Sequence, residues 1–161
     1  MIPQDLCLDA NVLIASMTAR EVHHRSALQL MKIIQDRQIV LYEPALLLYE
    51  VVATLYRRKI SGEITAAEVE EFVDHFYQLP ILFQWKPAVI QQASEVAEKL
   101  SLKRMYDCTY LAIAQLRNIP LITLDEQLIR RGRKCFPKIQ TPAEFLEGVQ
   151  PICRAGSRHP S

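Results

Sequence analysis

The sequence predicts one α/β domain in which helices flank a central, mostly parallel β-sheet in a three-layer α/β/α arrangement. Short apolar runs alternate with longer stretches of helical periodicity, which is typical of a parallel sheet with crossover helices. The chain has 161 residues, 50% of them hydrophobic, and this length suits a single domain with a substantial core. We expect a globular domain over residues 1–147 and a flexible tail over 148–161, where the periodicity is lost.

Strands and helices alternate along the first half of the chain. A short apolar run leads directly into a helical period, so Asp9 falls where a strand passes into a helix. Pro44 suits the first turn of a later helix, and the basic residues 57–59 suit its C-terminus. In chain order, the predicted elements are a strand at 5–9, helices at 11–17 and 21–37, a strand at 38–44 and a helix at 44–59.

The second half continues this alternation. Thr65 and Glu68 have the spacing of a capping box at the start of a helix. The strand "IPLITLD" ends in Asp125, just as the first strand ends in Asp9. In chain order, the predicted elements are a helix between 65 and 80, a strand at 81–85, helices at 87–102 and 105–118, a strand at 119–125, a short basic helix at 125–134 and a last turn or two at 141–148.

The composition narrows the possible partners and compartment. With 19 basic and 18 acidic residues the formal net charge is +1, so any nucleic-acid site has to be a local basic patch. The four cysteines form no CxxC pair, which argues against a zinc or redox motif and favours a reducing, cytoplasmic setting. The chain shows no signal peptide and no apolar run approaching the ~18 residues of a membrane span, so we expect no membrane association.

Four acidic side chains lie in apolar sequence surroundings. Asp9 and Asp125 follow strands, and the carboxyl ends of parallel strands meet at one edge of a sheet. Glu50 and Asp107 project from apolar helix faces, where an unpaired charge is costly. Taken singly, each acid has a structural interpretation, as a helix N-cap or as the partner of a buried arginine. Taken together, with no matching set of basic residues on apolar faces, they favour a bound Mg²⁺ or Mn²⁺ ion.

A cluster of this kind suits hydrolysis of a nucleic-acid backbone. One or two metal ions can lower the pKa of a bound water and clamp the oxygens of a phosphodiester. The segments "LDANVLI", "LLLYEVVATL", "YDCTYLAIA" and "LITLDEQL" carry Asp9 with Asn11, Glu50, Asp107 and Asp125 in that order. This series resembles the motifs of the PIN-domain ribonucleases, particularly the VapC-type toxins of prokaryotic toxin–antitoxin pairs.

The resemblance covers roughly residues 4–146 and carries expectations about activity and partners. It implies a PIN-like fold and a Mg²⁺- or Mn²⁺-dependent endoribonuclease that cleaves RNA with metal-activated water. It also implies a homodimer and a cognate antitoxin that blocks the pocket. Residue by residue, it implies that the catalytic and metal-binding acids are Asp9, Glu50, Asp107 and Asp125. It further implies that the Asn11 amide steadies a metal-bound water or a phosphate, and that Thr123 holds Asp9 or Asp125 through a hydrogen bond.

The chain also departs from the family pattern. Cys108 stands where the family commonly has alanine, a small-residue change with little bearing on the chemistry. Glu126 and Gln127 do not reproduce a further aspartate found in some members. The number of metal ions therefore stays open.

Basic residues flank two of the acids. Lys103 and Arg104 precede Asp107, and Arg130 and Arg131 follow Asp125. Their ordinary interpretation is a solvated helix end, but their position makes them the predicted RNA phosphate contacts.

Two further functions compete with the nuclease hypothesis. A PIN-fold module could bind RNA or protein without catalysis, but such a module does not need four carboxylates held together against their repulsion. A phosphatase with an Asp-x-Asp nucleophile requires a second aspartate where this chain has Asn11. The acids therefore favour the nuclease.

Overall fold

The computed structural model describes residues 1–149, and in them strands and helices alternate largely as predicted. The strands in this part of the chain are β1 (Asp5–Leu8), β2 (Val40–Pro44), β3 (Ile81–Gln84), β4 (Leu121–Ile122) and β5 (Ile139–Gln140). The helices in the same residues are α1 (Ala10–Met17), α2 (His24–Arg37), α3 (Leu46–Ile60), α4 (Ala66–Tyr77), α5 (Pro87–Lys99), α6 (Asp107–Arg117), α7 (Glu126–Gly132) and α8 (Pro142–Val149).

The strands form one sheet in the order β3-β2-β1-β4-β5, and every recorded pair of neighbours is parallel. Helices flank this sheet, which confirms the predicted three-layer α/β fold. Cys7 pairs with Leu121 and Leu8 pairs with Ile122, so β1 and β4 end side by side. Because of this register, the segments that follow the two strands reach the same edge of the sheet.

The core is densest around the central strand. Leu6, Cys7 and Leu8 are fully buried, as expected for a strand that is covered on both faces of a parallel sheet. Helix α6 packs against β1, β2 and β4, and its residues from Tyr110 to Ala114 are buried. The first turn of α6 is thereby held close to the carboxyl edge of the sheet.

The predicted helix signals are present in the structure except at Pro44, which is the last residue of β2, so that α3 begins only at Leu46. Thr65 and Glu68 form the capping box of α4: the Thr65 N–H donates to Glu68 Oε2 at 2.7 Å, and the Glu68 N–H donates to Thr65 Oγ1 at 3.2 Å. Pro87 is the first residue of α5. Within residues 1–149, none of these helices has the length and apolar character needed to cross a membrane.

Two features at the C-terminal end differ from the sequence predictions. Strand β5 was not predicted; it has only two residues, too few to show an alternating pattern, and it pairs with β4. Helix α8 continues to Val149, past the predicted domain end at 147. The rest of the predicted tail, from residue 150 onward, lies outside the described residues.

Candidate active site

Asp9 lies between β1 and α1, and three hydrogen bonds hold its carboxylate. Asn11 Nδ2 and Thr123 Oγ1 both donate to Oδ2, at 2.8 and 2.7 Å. The Asn11 N–H donates to Oδ1 at 3.5 Å, which makes Asp9 the N-cap of α1. The N-cap interpretation of Asp9 is therefore correct, and the same contacts fix the orientation of the carboxylate.

Thr123 and Asn11 tie the ends of β1 and β4 together. The Thr123 side chain is fully buried, and its Oγ1 accepts a hydrogen bond from the Asp125 N–H at 3.0 Å while it donates to Asp9. Asn11 Oδ1 accepts from the Leu124 N–H at 3.1 Å. The Thr123 hydroxyl thus links Asp9 to the backbone of Asp125.

The other acid that follows a strand, Asp125, is also an N-cap. Its Oδ1 accepts a hydrogen bond from the Leu128 N–H at 2.9 Å at the start of α7. Asp107 is the first residue of α6 and does not cap it, because the N-cap position belongs to Tyr106. Asp107 is half-buried and faces the charge of Arg104.

Glu50 is half-buried on α3, and its recorded partner is a tyrosine rather than a buried arginine. Tyr110, which is 1% exposed, donates from its hydroxyl to Glu50 Oε2 in a short hydrogen bond. Tyr110 was not among the site residues predicted from the sequence. The available signal was its spacing, one helical turn after Asp107 on a core-facing helix.

The four predicted acids influence one another electrostatically. Burial and the charge of Glu50 raise the pKa of Asp9 to about 6, against the lowering effect of the Thr123 hydrogen bond. Burial and the charge of Asp107 raise the pKa of Glu50. Burial and the charge of Asp125 raise the pKa of Asp107. The acids therefore form one cluster in which each lies within the field of another.

The donor set of this cluster fits a hydrated, hard cation. Among residues 1–149, no group of three or more His, Cys, Asp or Glu side chains is placed to hold a metal ion directly, so the predicted four-carboxylate ligand set is not assembled as such. Mg²⁺ commonly keeps several waters and binds proteins through one or two carboxylates. An oxygen-only set in which part of the coordination comes from water suits Mg²⁺ or Mn²⁺.

A comparison with known protein families decides the relationship that the motifs suggested. The family model of the PIN domain matches residues 6–134. This chain belongs to the PIN domain family. The matched region contains all four acids. Because PIN domains are generally nucleases, membership supports a hydrolase that acts on nucleic acid.

Solved structures share the fold of this PIN domain. PAE2754 from Pyrobaculum aerophilum superposes with a TM-score of 0.60 at 21% sequence identity, over 79% of this chain and 84% of that chain. VapBC2 from Rickettsia felis, solved bound to a DNA fragment from their promoter, gives a TM-score of 0.61 at 14% identity, over 85% of this chain and 98% of that chain. No curated protein matches the sequence of this chain.

The PIN domain contains a fifth acid near the cluster, Glu43, which was not predicted as a site residue from the sequence. Glu43 on β2 is fully buried, and its Oε1 accepts a hydrogen bond from the Leu8 N–H at 2.7 Å. Burial, together with the charge of Asp9, holds the pKa of Glu43 well above its usual range. The signal was the alternation of the strand, which places Glu43 on the same buried face as Leu41.

Three of the four predicted RNA contacts are exposed. Lys103 and Arg104 lie in the loop before α6, and Arg130 lies on α7. Arg104 is close enough to Asp107 to lower the pKa of its carboxyl group.

The fourth predicted contact, Arg131, is engaged within the protein. Its Nη1 donates to the backbone carbonyls of Leu100 and Ser101, at 3.0 and 2.9 Å. These contacts hold the C-terminal end of α5 against α7. A structural role for Arg131 therefore competes with the predicted RNA contact.

Proposed function

We propose that this PIN domain is a Mg²⁺- or Mn²⁺-dependent endoribonuclease that hydrolyses RNA phosphodiester bonds. The observation that carries the proposal is the cluster of Asp9, Glu50, Asp107 and Asp125, in which burial and mutual repulsion raise the pKa values of three carboxyl groups. A divalent cation bound there would supply charge neutralisation, an activated water and a Lewis acid for the phosphodiester oxygens.

The residues of the chain hold these acids in fixed orientations. Asp9 and Asp125 are held by their cap hydrogen bonds and by Thr123 between them. Glu50 is held through one oxygen by Tyr110, which leaves its other oxygen for a cation or a water molecule. With a pKa of about 6, Asp9 is ionised at neutral pH, as a ligand or a proton acceptor has to be.

The proposed RNA contacts are the exposed basic side chains beside the cluster. Lys103, Arg104 and Arg130 would contact phosphates, since the formal net charge of only +1 provides no general attraction. Such contacts set affinity and position rather than sequence preference.

We further propose a VapC-type toxin role in the cytoplasm, with a cognate antitoxin as partner. The likeness to VapBC2 supports this role, as does a cavity of about 540 Å³ bordered by α1, α2, α3 and α4, whose lining combines apolar with charged side chains. The cavity is lined by residues such as Leu13, Met17, Leu55, Phe72 and Phe76. An amphipathic segment of the antitoxin could place its apolar face there. The described cysteines are free thiols, consistent with a reducing compartment.

The same proposal includes a homodimer formed through α3. Tyr49, Val52, Tyr56 and Ile60 are 51–72% exposed, and their spacing puts them along one face of the helix. An exposed apolar face of this kind suits contact with a second copy of the chain. Sedimentation of the wild type and of Tyr56→Glu tests this, because a dimer through α3 should dissociate in the variant.

RNA cleavage provides the decisive experiment. Purified protein should cut a structured RNA pool with Mg²⁺ or Mn²⁺, and EDTA or Asp9→Asn should abolish the cutting. Asp36→Asn, on the exposed part of α2, is the matched control and should cut like the wild type. Equal cutting by Asp9→Asn would refute the assigned pocket.

The alternative function is a PIN-fold module that binds RNA or protein without cleaving RNA. The finding that favours it is that no direct three-residue metal group exists among residues 1–149. RNA binding by the wild type without cleavage, under conditions in which Mn²⁺ leaves the melting temperature unchanged, would support this alternative.

A further inference from the structure

The end of β1 is held from both sides by different kinds of acceptor. On the β4 side, the Asp9 N–H donates to the backbone carbonyl of Ile122 at 2.9 Å. On the β2 side, the recorded strand pairs are Asp5 with Val40 and Leu6 with Leu41. Successive N–H groups of a strand point to opposite sides, so the next N–H directed toward β2 belongs to Leu8.

The carboxyl group of Glu43 takes the place of a main-chain acceptor at that point. The Leu8 N–H donates to Glu43 Oε1 at 2.7 Å, and both residues are fully buried. A buried N–H without an acceptor is costly, and water does not reach this site. The side chain therefore completes the hydrogen bonding of β1 beyond its last recorded pair with β2.

A second contact links Glu43, through Cys7, to Tyr110 on α6, the residue that holds Glu50. Cys7 Sγ lies 3.6 Å from Glu43 Oε2 and 3.5 Å from the backbone carbonyl of Tyr110, whose hydroxyl donates to Glu50. A thiol has one proton for these two acceptors. If Glu43 is neutral, its own proton points to Sγ while the thiol donates to the carbonyl, and both contacts are satisfied. The burial that raises the pKa of Glu43 favours this neutral form.

We propose that Glu43 is a positioning residue of the candidate nuclease site. Its carboxyl group holds the Leu8 N–H and so fixes the direction in which the next residue, Asp9, leaves β1. The inference rests on the proposed function, since Asp9 matters as a ligand or base only if the site acts on RNA. Glu43 itself is buried behind the cluster and touches neither substrate nor cation.

Two substitutions separate hydrogen bonding from charge and packing. Glu43→Gln keeps an acceptor for Leu8 and a donor for Cys7, without an ionisable group. Glu43→Leu keeps a buried side chain of similar size but offers neither. Glu43→Met, which adapts to irregular space, replaces the leucine variant if that protein does not fold.

Four measurements on the full chain test the role: urea unfolding, exchange of the Leu8 amide by NMR, Mn²⁺ titration, and kcat and KM on RNA. Glu43→Gln should resemble the wild type in all four. Glu43→Leu should expose the Leu8 amide to exchange and weaken Mn²⁺ binding or activity by about 10–100-fold, as loss of a partner that orients a metal ligand typically does. The loss of activity should fall on kcat rather than KM, because the basic residues are unchanged.

The outcomes distinguish this inference from the proposed function. If the wild type binds Mn²⁺ and cleaves RNA while Glu43→Leu matches it in Mn²⁺ affinity and kcat, the positioning role is overturned and the nuclease stands. If Glu43→Gln is as impaired as Glu43→Leu, hydrogen bonding is not the cause and the inference is again overturned. A wild type that neither binds Mn²⁺ nor cleaves RNA overturns the proposed function, and the positioning role with it.

Discussion

The charge of Asp9 should make the metal-free protein less stable as the pH rises through the acid range. The folded protein holds this carboxyl at a pKa of about 6, against an ordinary value of 3.8. Between these two values the folded chain retains a proton that the unfolded chain has lost, so raising the pH favours unfolding. Below pH 3.8 the carboxyl is protonated in both states, so its charge does not affect the free energy of unfolding. Above about pH 6 it is ionised in both states, and the full destabilisation from its buried charge applies.

The size of the effect follows from the shift. About two pKa units correspond to roughly 3 kcal/mol of unfolding free energy. Asp9→Asn removes the titration but keeps most of the local contacts, because its amide oxygen can accept the hydrogen bonds of Thr123 and Asn11. Glu50 and Asp107 also have raised pKa values in the wild type. The informative quantity is therefore the difference between the two proteins at each pH.

Urea unfolding in EDTA at a series of pH values from about 4 to 7 measures this difference. The unfolding free energy of Asp9→Asn minus that of the wild type should increase by up to roughly 3 kcal/mol over this range and then level off. Mn²⁺ at neutral pH should stabilise the wild type and not the variant. A difference that does not change with pH would show that Asp9 is not desolvated as the structure indicates, and would refute the reasoning.

Substitutions at Thr123, at the pair Arg130 and Arg131, and at Thr65 give three further predictions. Thr123→Val should lower the free energy of unfolding in urea by about 2 kcal/mol, since it leaves the Asp125 N–H without its acceptor. Thr123→Ser keeps the hydroxyl and should lower this free energy by less. Equal losses in the two variants would argue against a role for the hydroxyl. Arg131→Gln should lower the free energy of unfolding in urea by about 1–2 kcal/mol, because its hydrogen bonds to two backbone carbonyls are lost. Arg130→Gln should leave the unfolding free energy unchanged. It should instead reduce the slope of RNA affinity against salt concentration by the amount expected for about one phosphate contact. Thr65→Ala should cost about 1 kcal/mol by removing the cap of α4, and an unchanged urea midpoint would contradict this.

The sequence predicted most of the fold because the elements carry local signals. Residues close together in the sequence signal the start of α5 at Pro87 and the capping box of α4 at Thr65 and Glu68. Strand β1 is likewise signalled locally, by a short apolar run followed by a helix. Strand β5 has two residues and exists because β4 offers it a partner. Pairing of this kind depends on the tertiary fold and leaves no local pattern.

The sequence predicts those site residues that are acidic and have mainly apolar neighbours. Asp9, Glu50, Asp107 and Asp125 stood out as charges among apolar residues. Glu43 did not, because it directly precedes Pro44, at the end of a strand, where a polar residue is ordinary. Tyr110 looked like core packing, and only the fold brings its hydroxyl to α3. The spacing of Tyr110 from Asp107 indicates the side of α6 on which it lies, but its partner is on α3 and is identified only by the fold.

The N-cap and functional interpretations of Asp9 and Asp125 are compatible. Each carboxylate uses one oxygen to accept a backbone N–H at a helix start, and this contact restricts the side chain to a narrow range of orientations. A carboxylate that is already fixed loses little conformational freedom when it binds a cation, so more of the interaction energy remains for binding. The Thr123 hydroxyl extends this restriction by joining the Asp9 side chain to the Asp125 backbone. The hydrogen bonds by which Asp9 and Asp125 cap their helices would therefore also orient both carboxylates toward a cation.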